Sequence, residues 1–133
     1  MSFSAQISHF GEATQLKIQN VRRGVTLKLF NAVIRDTPVD TGLLRGNWRF
    51  STKEPIKTAT ANTSAQAVTQ AVQAGIEATT GDETVYLVNN LPYAYRIEYE
   101  GWSKVKAPQG MVRRNVARFG RLITIEVSKE KKK

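Results

Sequence analysis

The apolar positions between Glu12 and Asp36 recur every three or four residues and predict a long amphipathic helix. The repeat consists of Ile18, Val21, Val25, Leu29, Ala32 and Val33. Pro38 follows the last periodic residue closely, as expected after a helix that has to end. Gly24 interrupts the run, so we expect a bend there or the close approach of another segment.

A second stretch with helical spacing lies near the end of the chain. Its apolar side chains are Val112, Val116, Phe119 and Ile123, and the pattern continues to about Val127. Because steps of three and four residues return to one face of a helix, this segment predicts a second long amphipathic helix.

Two short segments have the character of strands. Within Asn47–Ser51, Trp48 and Phe50 fall on one face, which we expect to face the helices. The run Thr84–Asn89 is rich in β-branched and aromatic residues and predicts the second strand. The segment Tyr93–Tyr99 that follows it predicts a short helix.

The middle of the chain is less clearly patterned. Residues 52–64 are rich in Thr, Lys, Pro and Asn and predict a loop. The segment Ala65–Ala78 has apolar residues at helical spacing, so we interpret it as a helix. Its Thr and Val content and Gly75 leave a strand as the alternative.

These elements predict an α+β fold. Two long amphipathic helices pack on one face of a small, mostly antiparallel sheet, with a short helix between a strand and the C-terminal helix. With 133 residues, of which 41% are apolar, the chain can form one core but hardly two. We therefore expect a single domain over residues 1–133, with flexible ends at 1–11 and 128–133.

The basic excess is concentrated at the C-terminal end. The chain carries 20 basic and 11 acidic residues, a net charge of +9, and residues 91–133 contribute 11 of the basic and four of the acidic ones. The candidates for contact with DNA or an acidic partner are Arg113, Arg114, Arg118 and Arg121. Plain solvated charge explains the same residues, and both interpretations stay open.

Groups for catalysis or cofactor binding are scarce in this sequence. There is no cysteine, and the single histidine, His9, lies before the first predicted helix. Nothing in the sequence near the carboxylate pairs Asp82 with Glu83 and Glu98 with Glu100 would raise a pKa, so we expect solvated side chains. We find no phosphate loop or metal-binding spacing. The sequence therefore predicts a protein that is not an enzyme and has no cofactor.

No apolar run approaches the length of about 20 residues that a membrane-spanning helix needs. Residues 1–6 lack the basic start and apolar stretch of a signal peptide. We therefore expect a soluble protein that is made in the cytoplasm and does not act in a membrane.

A turn is predicted directly after the first helix. Its residues are Pro38, Asp40, Thr41 and Gly42. We expect a structural role, with Gly42 in a conformation that other residues resist, or with Asp40 or Thr41 capping the next helical turn.

A cluster of aromatic residues surrounds the short helix: Tyr93, Tyr95, Tyr99 and Trp102. Such side chains can anchor an interface or stack on bases, but in this pattern they more often fill the space between a sheet and a helix. We favour core packing. We expect contacts between subunits to use loops and the strand with Tyr86 and Val88.

The order of these segments resembles a known family. The motifs are Thr37–Arg45, Asn90–Tyr95 followed by Glu98 and Tyr99, and Ala107–Val112. Together they resemble the tail-completion or neck proteins of long-tailed bacteriophages and prophages. The resemblance covers nearly the whole chain.

This resemblance implies a non-enzymatic structural protein of the virion. Its subunits would form a homo-oligomeric ring, expected to be a hexamer, between the tail proteins and the head connector, with genomic DNA passing through and touching it without sequence specificity. Before assembly it would reside in the host cytoplasm. Two alternatives stay open: a non-catalytic nucleic-acid-binding module, and a tail-terminator or tail-tube subunit.

Overall fold

The structure is a computed structural model that describes residues 3–39, 41–100 and 110–131. In this part of the chain there are six helices and two strands. In chain order they are α1 (Phe3–Asp36), α2 (Leu43–Gly46), β1 (Trp48–Ser51), α3 (Ala65–Glu77), β2 (Tyr86–Asn89), α4 (Ala94–Tyr99), α5 (Val112–Val116) and α6 (Phe119–Lys131).

The two strands pair antiparallel, and helices pack against them, so the predicted α+β class is confirmed. Trp48 lies opposite Asn89 in the ladder. Trp48 is buried, and its indole N–H donates to the hydroxyl of Thr37 just after α1 at 2.8 Å. The ring of Phe50 meets that of Phe30 on α1 edge-on, with 6.3 Å between centroids. Both side chains therefore face the helices, as predicted.

Helix α3 confirms the helical interpretation of the middle segment. The Ser64 hydroxyl accepts the N–H of Ala67 at 3.1 Å and caps the first turn. Val68, Val72 and Ile76 then form one buried face against α1 and β1. The preceding residues 52–64 form the predicted loop after the end of β1.

Helices α5 and α6 run antiparallel along α1. The Asn115 amide donates to Asp36 at 3.0 Å, and the Glu126 carboxylate lies 3.0 Å from the Lys28 ammonium. Residue numbers therefore rise along α5 and α6 while they fall along α1. A Cβ on Gly24 would lie 2.3 Å from a carboxylate oxygen of Glu126. The predicted close approach at Gly24 is therefore confirmed, and the approaching segment is α6.

Two features of the predicted helices are wrong: where the first begins, and that the C-terminal segment is a single helix. Helix α1 begins at Phe3 and not near Glu12. The C-terminal segment is two helices, because a turn at Ala117 and Arg118 separates α5 from α6. At this turn the Arg118 N–H bonds to the carbonyl of Asn115, three residues back, which tightens the helix locally.

Three of the four apolar residues that predicted the C-terminal helix do not face the core, whereas Val112 packs against it. Val116, Phe119 and Ile123 are exposed, whereas Glu126 and Glu130 are buried on the side toward α1. The space beside Gly24 and the ammonium of Lys28 accommodate Glu126 there. The periodicity therefore identified a helical segment but not which of its faces is buried.

The turn after α1 is structural, as predicted. Gly42 has φ +89°, a left-handed conformation that favours glycine, and its carbonyl accepts the Gly46 N–H at 2.9 Å. The Thr41 hydroxyl accepts the Leu43 N–H at 3.3 Å. Pro38 is partly buried, and Asp40 lies outside the described residues.

Replacing Thr41 with alanine should lower the free energy of unfolding by about 1 kcal/mol, because the first N–H of α2 loses its acceptor. A thermal melt measures the change. Thr84→Ala is the control, since Thr84 is also exposed but makes no side-chain hydrogen bond within the described residues. Equal melting temperatures for Thr41→Ala and the wild type would remove the capping role.

Candidate functional site

An open, largely apolar groove lies between β2, α4 and α5. Its volume is about 480 Å³. The groove is lined by Trp48, Leu87, Val88, Asn89, Asn90, Leu91, Ala94, Tyr95, Glu98, Tyr99, Met111 and Val112. We call it the β2–α4 groove.

The groove runs along the edge of β2. Leu87 and Val88 are consecutive, so their side chains point to opposite faces of the strand, yet both line the groove. Within the described residues, β2 pairs only with β1, and its other edge has no strand beside it. Such an edge presents N–H and C=O groups that another chain can pair with.

The turn motif is tied to the strands beside the groove. The Thr37 hydroxyl is fully buried and donates to the Val33 carbonyl at 2.7 Å while it accepts from Trp48. The Asn89 amide donates to the Leu44 carbonyl at 2.8 Å. These two contacts fix β1 and β2 against the segment that follows α1.

Glu98 holds α4 to the start of α5. One carboxylate oxygen accepts the N–H groups of Met111 at 2.5 Å and Val112 at 2.9 Å, and the other accepts the Arg113 N–H at 2.8 Å. The Arg113 guanidinium lies 3.3 Å from the second oxygen. The expectation of a solvated Glu98 is therefore wrong, whereas Glu100 is exposed as expected.

The environment of Glu98 keeps it ionised. Burial raises the pKa of this carboxyl, but the three backbone N–H groups and the Arg113 guanidinium outweigh burial and hold the pKa below its ordinary value. Both oxygens are occupied by these donors. Glu98 is therefore suited to fixing the wall of the groove and not to transferring protons.

Two tyrosines form the exposed rim of the groove. Tyr95 is 62% exposed and Tyr99 57%, and their ring centroids are 4.9 Å apart. The Arg113 guanidinium lies over the Tyr99 ring, 5.0 Å from its centroid. The prediction of core packing is correct for Tyr93, which packs against the core, and wrong for the exposed Tyr95 and Tyr99. Trp102 lies outside the described residues, and Tyr86 is partly buried on β2.

The four candidate arginines separate into two groups. Arg113 is bound to Glu98 and Tyr99 beside the groove. Arg114, Arg118 and Arg121 lie on the outer side of α5, α6 and the turn between them, with Arg118 and Arg121 exposed and Arg114 partly exposed. Sequence reasoning grouped all four, because it could not foresee the carboxylate that engages Arg113.

A second cavity, of about 250 Å³, is lined by Arg22 and Arg23 of α1 and the loop after α3. Arg23 donates to the Thr79 carbonyl at 2.9 Å, and Arg22 lies 3.5 Å from the Asp82 carboxylate. These arginines therefore hold the loop on α1. Asp82 is half-exposed, as expected, but its carboxylate also accepts from the Gln19 amide at 2.7 Å.

The described residues contain no cluster of three or more side chains that could hold a metal ion. None of their helices is both long and apolar enough to cross a membrane. Comparisons of the chain with protein-family models, with curated proteins and with solved structures find no match.

Proposed function

We propose that the protein is a structural component of a long-tailed bacteriophage virion: a neck or tail-completion subunit that joins the tail to the head connector. Its copies form a ring, which we expect to be a hexamer, and genomic DNA passes through the ring. The protein acts by binding alone.

One observation carries this proposal most directly. The first of the three motifs that resemble the neck family is far from the other two in the sequence, yet all three meet around the β2–α4 groove. Residues 90, 91, 94, 95, 98 and 99 of the second motif and residues 111 and 112 of the third line the groove. The first motif contributes Thr37 and Leu44, which bind Trp48 and Asn89 on the groove's wall. The resemblance therefore concerns one surface and not three unrelated sequence segments.

The chemistry of the groove suits protein–protein contact. A partly apolar surface with exposed tyrosines can supply the centre of an interface, and an unpaired strand edge can add backbone hydrogen bonds. A ring requires a heterologous contact, in which one surface binds a different surface of the next copy. Free subunits can stay monomeric and close the ring only on a preassembled tail or connector, which brings the copies together.

Particles assembled without this protein test the proposal. We expect complete heads and complete tails that do not join, and joining should return when the purified wild-type protein is added. Electron microscopy counts joined and separate structures. Joined, infectious particles in its absence would overturn the neck assignment.

Replacing both rim tyrosines with serine should prevent joining. Both side chains are exposed, so the double variant Tyr95→Ser/Tyr99→Ser should fold with little loss of stability, while each lost interface anchor costs about 2 kcal/mol of binding. The control is Ile18→Ser, another exposed apolar side chain, which does not line the groove and lies outside the three motifs. Equal joining by the double variant and the control would exclude the groove as the contact surface.

The exposed arginines on α5 and α6 favour a second candidate, a non-catalytic nucleic-acid-binding module. A preference for one DNA sequence over another would support this candidate against the neck role. A tail-terminator or tail-tube subunit shares the ring, and imaging the labelled protein in the particle distinguishes these two roles from the neck by position.

A further inference from the structure

The arginines of this protein fall into two classes. Of its ten arginines, seven have partners in the structure: Arg22, Arg23, Arg35, Arg45, Arg49, Arg96 and Arg113. The other three, Arg114, Arg118 and Arg121, have no ion pair or side-chain hydrogen bond within the described part of the chain. The unpaired guanidinium groups are thus confined to one segment.

These three side chains form a ridge, which we call the arginine ridge. They are separated by four and three residues and lie on α5, in the turn after it and on α6, within a segment whose residues 116–121 are all exposed. The turn between α5 and α6 is tightened, because the Arg118 N–H bonds to the Asn115 carbonyl and the Arg121 N–H to the Arg118 carbonyl, each three residues back at 3.1 Å. Both helices pack along α1, so the eight consecutive residues that hold the three arginines extend roughly along it, over about 10 Å at 1.5 Å per residue.

The acidic residues of the same helices do not neutralise the ridge. The carboxylates present on α5 and α6 are Glu126 and Glu130, and both are buried. Glu126 lies 3.0 Å from the Lys28 ammonium and 3.5 Å from that of Lys129. The outer face of α5 and α6 therefore presents positive charge without a compensating carboxylate.

We propose that the arginine ridge binds the phosphate backbone of duplex DNA without reading its sequence. This inference rests on the proposed function, and it orients the subunit with α5 and α6 facing the lumen of the ring. Phosphates of one DNA strand succeed one another about every 3.4 Å along the duplex axis, so a ridge of about 10 Å spans roughly three of them. Guanidinium groups match phosphate in charge and geometry.

The ridge has little apart from arginine with which to read a base sequence. Its members are all arginine, and the exposed Phe119 between Arg118 and Arg121 has no hydrogen-bonding group for a base edge. Arg113, the candidate beside Tyr99, is engaged by Glu98 and is not part of the ridge. Three phosphate contacts per subunit give weak, salt-sensitive binding, which allows DNA to slide past.

The experiment measures binding of the full-length purified protein to short fluorescent DNA duplexes of two unrelated sequences at several salt concentrations. With three phosphate contacts we expect a slope of log K against log salt of about −2.7, a loss of about 40-fold between about 50 and 200 mM salt. Both duplexes should bind equally. The triple variant Arg114→Gln/Arg118→Gln/Arg121→Gln should lose most of this slope.

The matched control is Lys17→Gln/Lys53→Gln/Lys57→Gln, which removes the same charge from exposed positions elsewhere. If the control weakens binding as much as the ridge variant, the ridge is not a site. Unchanged binding by the ridge variant would also overturn the proposal. If wild-type protein does not bind DNA while the ridge variant fails to join heads and tails, the ridge contacts an acidic protein and not DNA.

The outcomes for the ridge and for the neck role can be told apart. DNA binding by the purified protein does not require a particle, so particles that join without the protein would overturn the neck role and leave the binding result intact. Conversely, a failed binding experiment would exclude the ridge as a DNA site. The joining experiment would still test the neck role, because it depends on the β2–α4 groove.

Discussion

Replacing Gly46 with alanine should lower the free energy of unfolding by about 3 kcal/mol. The added Cβ would lie 2.3 Å from the carbonyl oxygen of Asn62 and 2.9 Å from the Cα of Thr63. Both atoms belong to the backbone, so no side-chain rotation relieves the contact. The Asn62 amide also donates to the Gly46 carbonyl at 3.0 Å, which holds the loop against α2 at this point.

Gly120→Ala is the matched control for this substitution. Gly120 lies in α6 and has no atom within 4 Å of the position that a Cβ would take, apart from its own local surroundings. Alanine there should raise the free energy of unfolding by about 0.5 kcal/mol, because it restricts the unfolded chain and favours the helix. Urea unfolding followed by circular dichroism measures both changes. Equal effects of the two substitutions would contradict the close contact at Gly46.

The local elements of this fold were predictable from the sequence, because short-range pattern determines them. The three- and four-residue spacing predicted α1 to within a residue at its C-terminal end, and Pro38 explains why it ends there. Alternation placed Trp48 and Phe50 on one face of β1. Gly42 was recognisable in its turn because a left-handed position strongly favours glycine.

The contacts between distant segments were not predictable. The approach of the loop after β1 to Gly46 depends on tertiary packing, which leaves no periodic signal. The exposed stripe of Val116 and Phe119 shows the same limit, because periodicity reports an apolar face but not whether another element covers it. In this chain α1 instead receives the face with Glu126, next to Gly24.

The burial of Glu98 did have a signal in the sequence. Ala94 and Ile97 are apolar, and Glu98 lies four residues after Ala94 on the same helical face; all three are buried in α4. A carboxylate on a buried face needs compensating donors, so its position alone indicates a structural contact. The identity of those donors, the N–H groups at the start of α5, could only come from the structure.

Glu98→Ala should lower the stability more than any other substitution considered, and Glu98→Gln should lower it less. Glu98→Gln removes the charge but keeps one acceptor oxygen, and we expect a loss of about 2 kcal/mol in the free energy of unfolding. Glu98→Ala leaves three N–H groups and the Arg113 guanidinium without their acceptor, and we expect a loss of about 4 kcal/mol. Glu100→Gln is the control, because Glu100 is an exposed neighbour.

The pH dependence of stability distinguishes the contribution of the Glu98 charge from that of its side-chain packing. Its pKa is lower in the folded protein than the ordinary value of 4.5, so the unfolded chain binds a proton more readily. The stabilisation from Glu98 is therefore complete well above pH 4.5, decreases as the pH falls below that value, and disappears once the pH passes below the folded pKa. The wild type and Glu100→Gln should both lose this stabilisation in acid. Glu98→Gln should lack the part of the loss that comes from Glu98. If Glu98→Gln kept the wild-type stability at neutral pH and still lost as much stability in acid as the wild type, the Glu98 carboxylate would not hold α5 against α4. Another contact would then have to fix the wall of the β2–α4 groove.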